Sequence, residues 1–184
     1  VRVIVSEEKL QERVRELGRE VSVDFRGKDP IIVSVLRGGF MFTADLVKLL
    51  DFPHEIDFIS VSSYGDRTSS SGLVRPVRDL TTNVKGRHLL LVDDIIDTGL
   101  TINYLTENLK LRSPASLAIV ALLEKQIKRE FDLPTKYVGF RIPDTFVVGY
   151  GLDFNQKYRD LPFIAELDGV ETKGTEGNKP RESS

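Results

Sequence analysis

Leu89-Leu90-Leu91-Val92-Asp93-Asp94-Ile95-Ile96-Asp97-Thr98-Gly99-Leu100-Thr101 is the stretch that decides the fold. The apolar residues Leu89 to Val92 read as a buried strand. Asp93 and Asp94 follow where that strand should end, and the turn Asp97-Thr98-Gly99 opens a helix predicted from Leu100 to Leu111. A strand, a polar turn and a helix start present backbone N–H groups and the positive end of the helix dipole to an anion. Thr98 and Thr101 add hydroxyl donors, and Gly99 lets the backbone come close.

What this loop lacks narrows the ligand. It carries neither G-x-x-x-x-G-K-[ST] nor G-x-G-x-x-G. Its carboxylates would repel a polyphosphate lying on them, whereas one phosphate on the turn and a cis-diol near the acids would be accommodated. A ribose 5-phosphate meets that description. A Ca²⁺ or Mg²⁺ loop, or acids that merely cap the helix, are the alternatives left open by spacing alone.

Outward from this stretch, strands and helices alternate. Ser6 caps a helix with Glu7 and Glu8 in its first turn and Leu10, Val14, Leu17 and Val21 on one face. Asp29-Pro30 breaks the chain before a buried strand from Ile31 to Val35. Leu36-Arg37-Gly38-Gly39 is a turn, followed by a helix from Phe40 to Leu50. Ile56 to Ser62 reads as a strand apolar on both faces. Val74 to Leu80 reads as another, with Pro76 marking an edge or a bulge. Leu117 to Leu123 is a further buried strand, and Tyr137 to Phe140 and Val147 to Gly151 are short ones. The alternation predicts a mainly parallel α/β sheet, whose ligands bind at the carboxyl ends of the strands. Residues 1–168 form one domain in this reading, and residues 169–184, nearly devoid of apolar residues, form a disordered polar tail.

Composition excludes several classes of function. The 184 residues are 40% hydrophobic and 29% charged, with a formal net charge of −2, so neither nucleic acid nor an anionic membrane is expected as a partner. Cysteine is absent, which removes disulfides, thiolate catalysis and cysteine-held zinc. The two histidines, His54 and His88, lie far apart. No apolar run approaches the roughly 20 residues of a membrane span, and no signal peptide is visible, so the cytoplasm is the default compartment.

Three further segments carry candidate chemistry. The glycines after Leu36 permit close approach to an anion and Arg37 supplies charge, although an ordinary strand–helix turn has the same composition. Ser62 to Gly72 is too polar to pack tightly, which fits a surface loop or a lid. Lys125 ends a buried strand, where a surface lysine is the ordinary reading, and Phe146 reads equally as core.

Val92 to Thr101 resembles the phosphoribosyl-diphosphate (PRPP) motif of type I phosphoribosyltransferases, and more narrowly that of the hypoxanthine-guanine phosphoribosyltransferases. The likeness covers roughly residues 5 to 168 and extends to Leu36-Arg37-Gly38-Gly39, Ser63-Tyr64, Lys125 and the stretch Val138 to Asn155, in matching order. It implies the type I phosphoribosyltransferase fold: a mainly parallel twisted sheet flanked by helices, with a small hood and a flexible lid loop. It also implies Mg²⁺-dependent transfer of phosphoribose from PRPP to a 6-oxopurine by a homodimer or homotetramer. A relative that prefers xanthine, or a PRPP-sensing regulator that has lost catalysis, would share the motifs.

By the same resemblance, Leu36, Arg37, Gly38 and Arg159 meet pyrophosphate, with a non-proline cis peptide between Leu36 and Arg37. Ser63 and Tyr64 belong to the lid. Asp93 and Asp94 hold the ribose hydroxyls and order Mg²⁺. Ile95, Ile96, Thr98, Gly99, Leu100 and Thr101 complete the ribose 5′-phosphate segment, and Asp97 is the general base near purine N7. Lys125 donates to the purine 6-oxo group, Phe146 stacks on the base, and Val147 and Asp153 meet its 2-position side through their backbone. The Asp153 carboxylate faces a second Mg²⁺. Arg37 stands where many members carry Lys, and Leu100 where they often carry a basic residue, which shifts the burden of the 5′-phosphate to backbone N–H groups, Thr98 and Thr101.

Overall fold

The computed structural model describes residues 1–64, 73–129 and 131–169. The part of the expected lid from Gly65 to Gly72 and that of the expected tail from Val170 to Ser184 therefore lie outside the described residues.

Six strands form the main sheet in the order β4-β3-β2-β5-β6-β7: β2 (Ile31–Leu36), β3 (Glu55–Tyr64), β4 (Leu73–Arg78), β5 (His88–Ile96), β6 (Ser116–Lys125) and β7 (Thr135–Ile142). All neighbours are parallel except β3 and β4. Strand β4 is an edge strand, a position in which a proline such as Pro76 is tolerated. The helices among the described residues are α1 (Glu7–Phe25), α2 (Phe40–Val47) and α3 (Leu100–Lys110). Side chains alternate across the central strands, so the sheet is buried on both faces. Ile32, Leu90, Val92, Val120 and Leu122 meet Leu10, Val14 and Leu17 of α1 and Phe42 and Leu46 of α2. On the other face Ile31, Val33, Leu89, Leu91, Ile119 and Ala121 meet Ile102, Leu105 and Leu109 of α3. Helix α1 begins as the sequence predicts, with Ser6 Oγ accepting from the Lys9 N–H at 3.4 Å. No helix among the described residues is long and apolar enough to cross a membrane.

A second, antiparallel sheet is built from β1 (Arg2–Val5), β9 (Ile164–Glu166) and β8 (Val147–Val148), in the order β1-β9-β8. It forms the hood over the carboxyl ends of the main strands. Tyr150, fully buried beside it, donates its hydroxyl to Asp45 of α2.

Two expectations need correction. Strand β5 does not end at Val92: the ladder with β6 continues through Asp93↔Ala121, Ile95↔Leu123 and Ile96↔Glu124. Ile95 and Ile96 keep the strand going past the acids because β6 offers partners there. Strand β3 is not apolar on both buried faces. Ile56 and Phe58 are 43% and 38% exposed, whereas Asp57 is only 3% exposed. Its carboxylate accepts from the backbone N–H groups of Thr81 and Thr82, both at 2.9 Å, so the β4–β5 connection supplies the donors that let an acid face inward.

Candidate active site

Strands β2, β5, β6 and β7 deliver their carboxyl ends to one side of the sheet, and the hood closes over them. Between the two lies a cavity of about 400 Å³. Of the residues expected at the site, Arg37, Gly38, Asp94, Ile95, Asp97, Lys125, Phe146, Val147, Asp153 and Arg159 line it. A smaller hollow of about 80 Å³ shares Ile95 and Asp97 with it and is lined by Asp93, Ile96, Thr98, Gly99, Leu100 and Thr101. Leu36 lies just outside, and the Leu36–Arg37 peptide is cis. Ser63 and Tyr64 occupy the last positions of β3, and their side chains fall outside what is described.

The smaller hollow has the character of an anion cradle. Gly99 sits at the start of α3 with φ +86°, a conformation that favours glycine, and no side chain caps the helix. The first N–H groups of α3 therefore remain available, apart from a long bond from the Leu100 N–H to Thr98 Oγ1 at 3.4 Å.

Asp93, buried, and Asp94, half-buried, are adjacent acids within β5, two to three residues before its end at Ile96. Burial, reinforced for Asp93 by the neighbouring Asp94 charge, holds the Asp93 carboxyl well above the usual carboxylate range. Burial also raises Asp94, while the charge of Arg159 acts in the opposite direction. Two crowded carboxyl groups of this kind are suited to a divalent cation. Asp153 does not join them: it lies with the hood and pairs with Arg159 at 2.9 Å. Among the described residues, no group of three or more His, Cys, Asp or Glu side chains is placed to hold a metal ion.

Lys125 is buried, 7% exposed, rather than a surface lysine. Its ammonium contacts Asp97 Oδ2 at 2.9 Å and Asp144 Oδ1 at 3.0 Å. Burial works against its charge, but the hydrogen bonds to Asp97 and Asp144 outweigh it and raise its pKa. An ammonium has three donors, so among the described residues one remains for a ligand in the cavity. Phe146 meets Phe154 edge to face, with ring centroids 5.6 Å apart.

Residues that the sequence reading did not single out complete the site. Gln156 Oε1 accepts from Arg37 at 2.9 Å and from Arg159 at 3.1 Å, so one neutral acceptor draws two guanidinium groups together. Asp144 shares Lys125, as described. Arg129 spans the ends of β5 and β6. Asp144 and Gln156 flank positions already flagged, at Phe146 and Asp153; Arg129 carries no local signal.

Known proteins bear this architecture out. The model of the phosphoribosyl transferase domain family matches residues 4–155. A hypoxanthine-guanine phosphoribosyltransferase of Bacillus subtilis is 47% identical over 90% of this chain and 92% of its own. A hypoxanthine phosphoribosyltransferase of Escherichia coli is 44% identical over 91% of this chain and 95% of its own. Among solved structures, a hypoxanthine-guanine phosphoribosyltransferase of Bacillus anthracis superposes with a TM-score of 0.86 at 44% identity, covering 91% of this chain and 98% of that one. On a family match that spans most of its length, this chain belongs to the phosphoribosyltransferases.

Proposed function

We propose that this protein salvages purines by transferring the 5-phosphoribosyl group of PRPP to N9 of hypoxanthine or guanine, giving IMP or GMP and pyrophosphate. The observation that carries the reading is the buried Lys125 ammonium, held beside Asp97 and Asp144 at the cavity wall with one donor to spare. A donor-only group accepts a 6-oxo substituent as partner and disfavours a 6-amino group, which selects against adenine. The names of the relatives at 44–47% identity support the same substrate class.

In the reaction, the bond from ribose C1 to the pyrophosphate oxygen breaks as the bond from N9 to C1 forms, with inversion at C1. Asp97 takes the purine proton at N7. Phe146 packs on the face of the base, and Val147 and Asp153 bound its 2-position side through their backbone. The N-terminus of α3, Thr98 and Thr101 hold the 5′-phosphate, while Ile95, Ile96 and Leu100 shape the hollow around it. Leu36, Arg37, Gly38 and Arg159 receive pyrophosphate, and Ser63 and Tyr64 belong to the segment that excludes water from the cationic sugar. Asp93 and Asp94 are the residues that would hold one Mg²⁺, and the Asp153 carboxylate would face a second. Each set then supplies one or two carboxylates, as suits an ion that completes its shell with phosphate oxygens and water. When bound it neutralises charge on the departing pyrophosphate. The reading places the enzyme in the cytoplasm as a homodimer or homotetramer, an assembly that would cover exposed apolar side chains such as Phe40, Ile56 and Phe58.

A purine panel with PRPP and Mg²⁺ tests the reading. IMP and GMP formation abolished by EDTA, with little AMP, is expected. Strong AMP formation would refute the assigned role of Lys125, preferential use of xanthine would move the substrate, and nucleotide binding without turnover would leave a sensor. Within the reaction, Asp97→Asn keeps the shape of the residue and an oxygen for Lys125 but cannot accept the proton. It should lower kcat on the order of 10²-fold while PRPP affinity, measured by calorimetry, stays within a few-fold; an unchanged kcat would remove Asp97 as base.

A further inference from the structure

We propose that Arg129 is a positioning residue that sets the spacing between Asp97 and Lys125, and thereby the frame in which a 6-oxopurine is told from a 6-aminopurine. The inference rests on the roles given above to Asp97 and Lys125. The β5–β6 ladder closes at Ile96↔Glu124. Asp97 and Lys125 lie one residue beyond the last β5–β6 rung: Lys125 still pairs with Ile142 of β7, but no β5–β6 rung ties it to Asp97. Arg129 takes over there. Its Nε donates to the Asp97 carbonyl at 3.0 Å, and its Nη2 to the carbonyls of Ile96 at 3.2 Å and Lys125 at 2.8 Å. Its Nη1 donates to Glu124 Oε1 at 2.8 Å, and Glu124 in turn is held by Arg141 of β7 at 3.1 Å.

One planar guanidinium thus grips the backbone on both sides of the Asp97–Lys125 pair. The Arg129 and Glu124 side chains are only 16% and 15% exposed, so water competes weakly for these bonds. A Cβ added at Gly99 would stand 3.4 Å from Arg129 Cδ, so the same side chain also backs the phosphate turn. Arg129 does not line the cavity; it acts through the residues that do. Lysine cannot replace it, because a point charge has no rigid fork with which to bridge carbonyls on two strands.

A purine presents N7 and the 6-substituent side by side, so the acceptor and donor that read them must keep a fixed separation. A misplacement of about 1 Å can cost 10²-fold. Arg129→Gln, Arg129→Lys and the unaltered protein would be compared in kcat/KM for hypoxanthine and for adenine, with KM for PRPP and thermal melting recorded alongside. Arg129→Lys keeps charge and bulk and guards against loss of the fold. The expected result for both variants is a fall in hypoxanthine kcat/KM of about 30-fold, the order set by such misplacement. The hypoxanthine-to-adenine ratio should fall about tenfold with it, and KM for PRPP should stay within about threefold. Equal proportional losses for the two bases would reduce Arg129 to a structural residue, and unchanged kinetics would overturn the inference outright. Absence of IMP from the unaltered protein would instead sink the underlying assignment of function.

Discussion

Gly38→Ala should all but abolish phosphoribosyl transfer, lowering kcat/KM for PRPP by about 10³-fold or more, equivalent to ~4 kcal/mol of transition-state stabilisation. The reason is spatial. A Cβ on Gly38 would overlap Oδ2 and Cγ of Asp94. Asp94 cannot simply turn away without breaking the bond in which its Oδ1 accepts from the Ile95 N–H at 2.9 Å. Nor can Gly38 retreat, because the space beside its carbonyl is so tight that a Cβ on Gly151 would overlap that oxygen. Gly151 itself has φ +101°, and its own carbonyl accepts from Arg159 Nη1 at 2.6 Å. The glycine is thus caught between the acid assigned to ribose and metal and the hood. Initial rates across a PRPP titration, together with a melting curve, check this. A normal PRPP response in a well-folded variant would mean that Asp94 does not have to hold its position for catalysis.

Lys125→Met should lower kcat/KM for hypoxanthine by about 10³-fold without a matching gain for adenine. A hydrogen bond from a charged donor contributes ~1.5–3 kcal/mol, which accounts for about 10- to 150-fold. The remainder comes from what the substitution leaves behind. Asp97 and Asp144 both lose the ammonium that joins them at 2.9 and 3.0 Å, and their like charges then face the oxygen-bearing edge of the purine. Methionine keeps the length of the side chain, so the wall of the cavity is retained. The hypoxanthine-to-adenine ratio is the decisive reading: it should collapse, whereas a simple loss of folded protein would scale both rates alike. A preserved ratio would show that the 6-position is read elsewhere.

The alternation of strands and helices was legible because buried strands and amphipathic helices leave strong periodic marks, as in Leu89 to Val92 and in Leu10, Val14 and Leu17. The phosphate turn was legible because its parts are contiguous in sequence. Other features depend on partners remote along the chain. Strand β5 runs past Asp93 only because β6 lies beside it, and Asp57 faces inward only because Thr81 and Thr82 fold back with free N–H groups. The two-residue strand β8 exists by virtue of β9. The site divides in the same way. Asp97, Lys125, Phe146 and Arg159 were reached through a resemblance carried by quoted motifs. Gln156, Asp144 and Arg129 have no composition or spacing that distinguishes them from solvated loop residues, and their meaning lies wholly in what they touch.

The pairing of β1 with β9 joins residues 2–5 to residues 164–166, and this imposes an order on biosynthesis. A ribosome that has released residue 125 has already delivered the loops after β2 and β5 and the end of β6. Every group assigned to the sugar phosphate, and the lysine assigned to the base, is then outside the exit tunnel, while Val147 and the hood are not. Strand β1, which emerges before every other strand described, must wait for β9, the last of them, before it has a neighbour. The nascent chain can therefore shape its sugar-phosphate side early, but the wall that encloses the base is a late event that joins the first strand of the fold to the last.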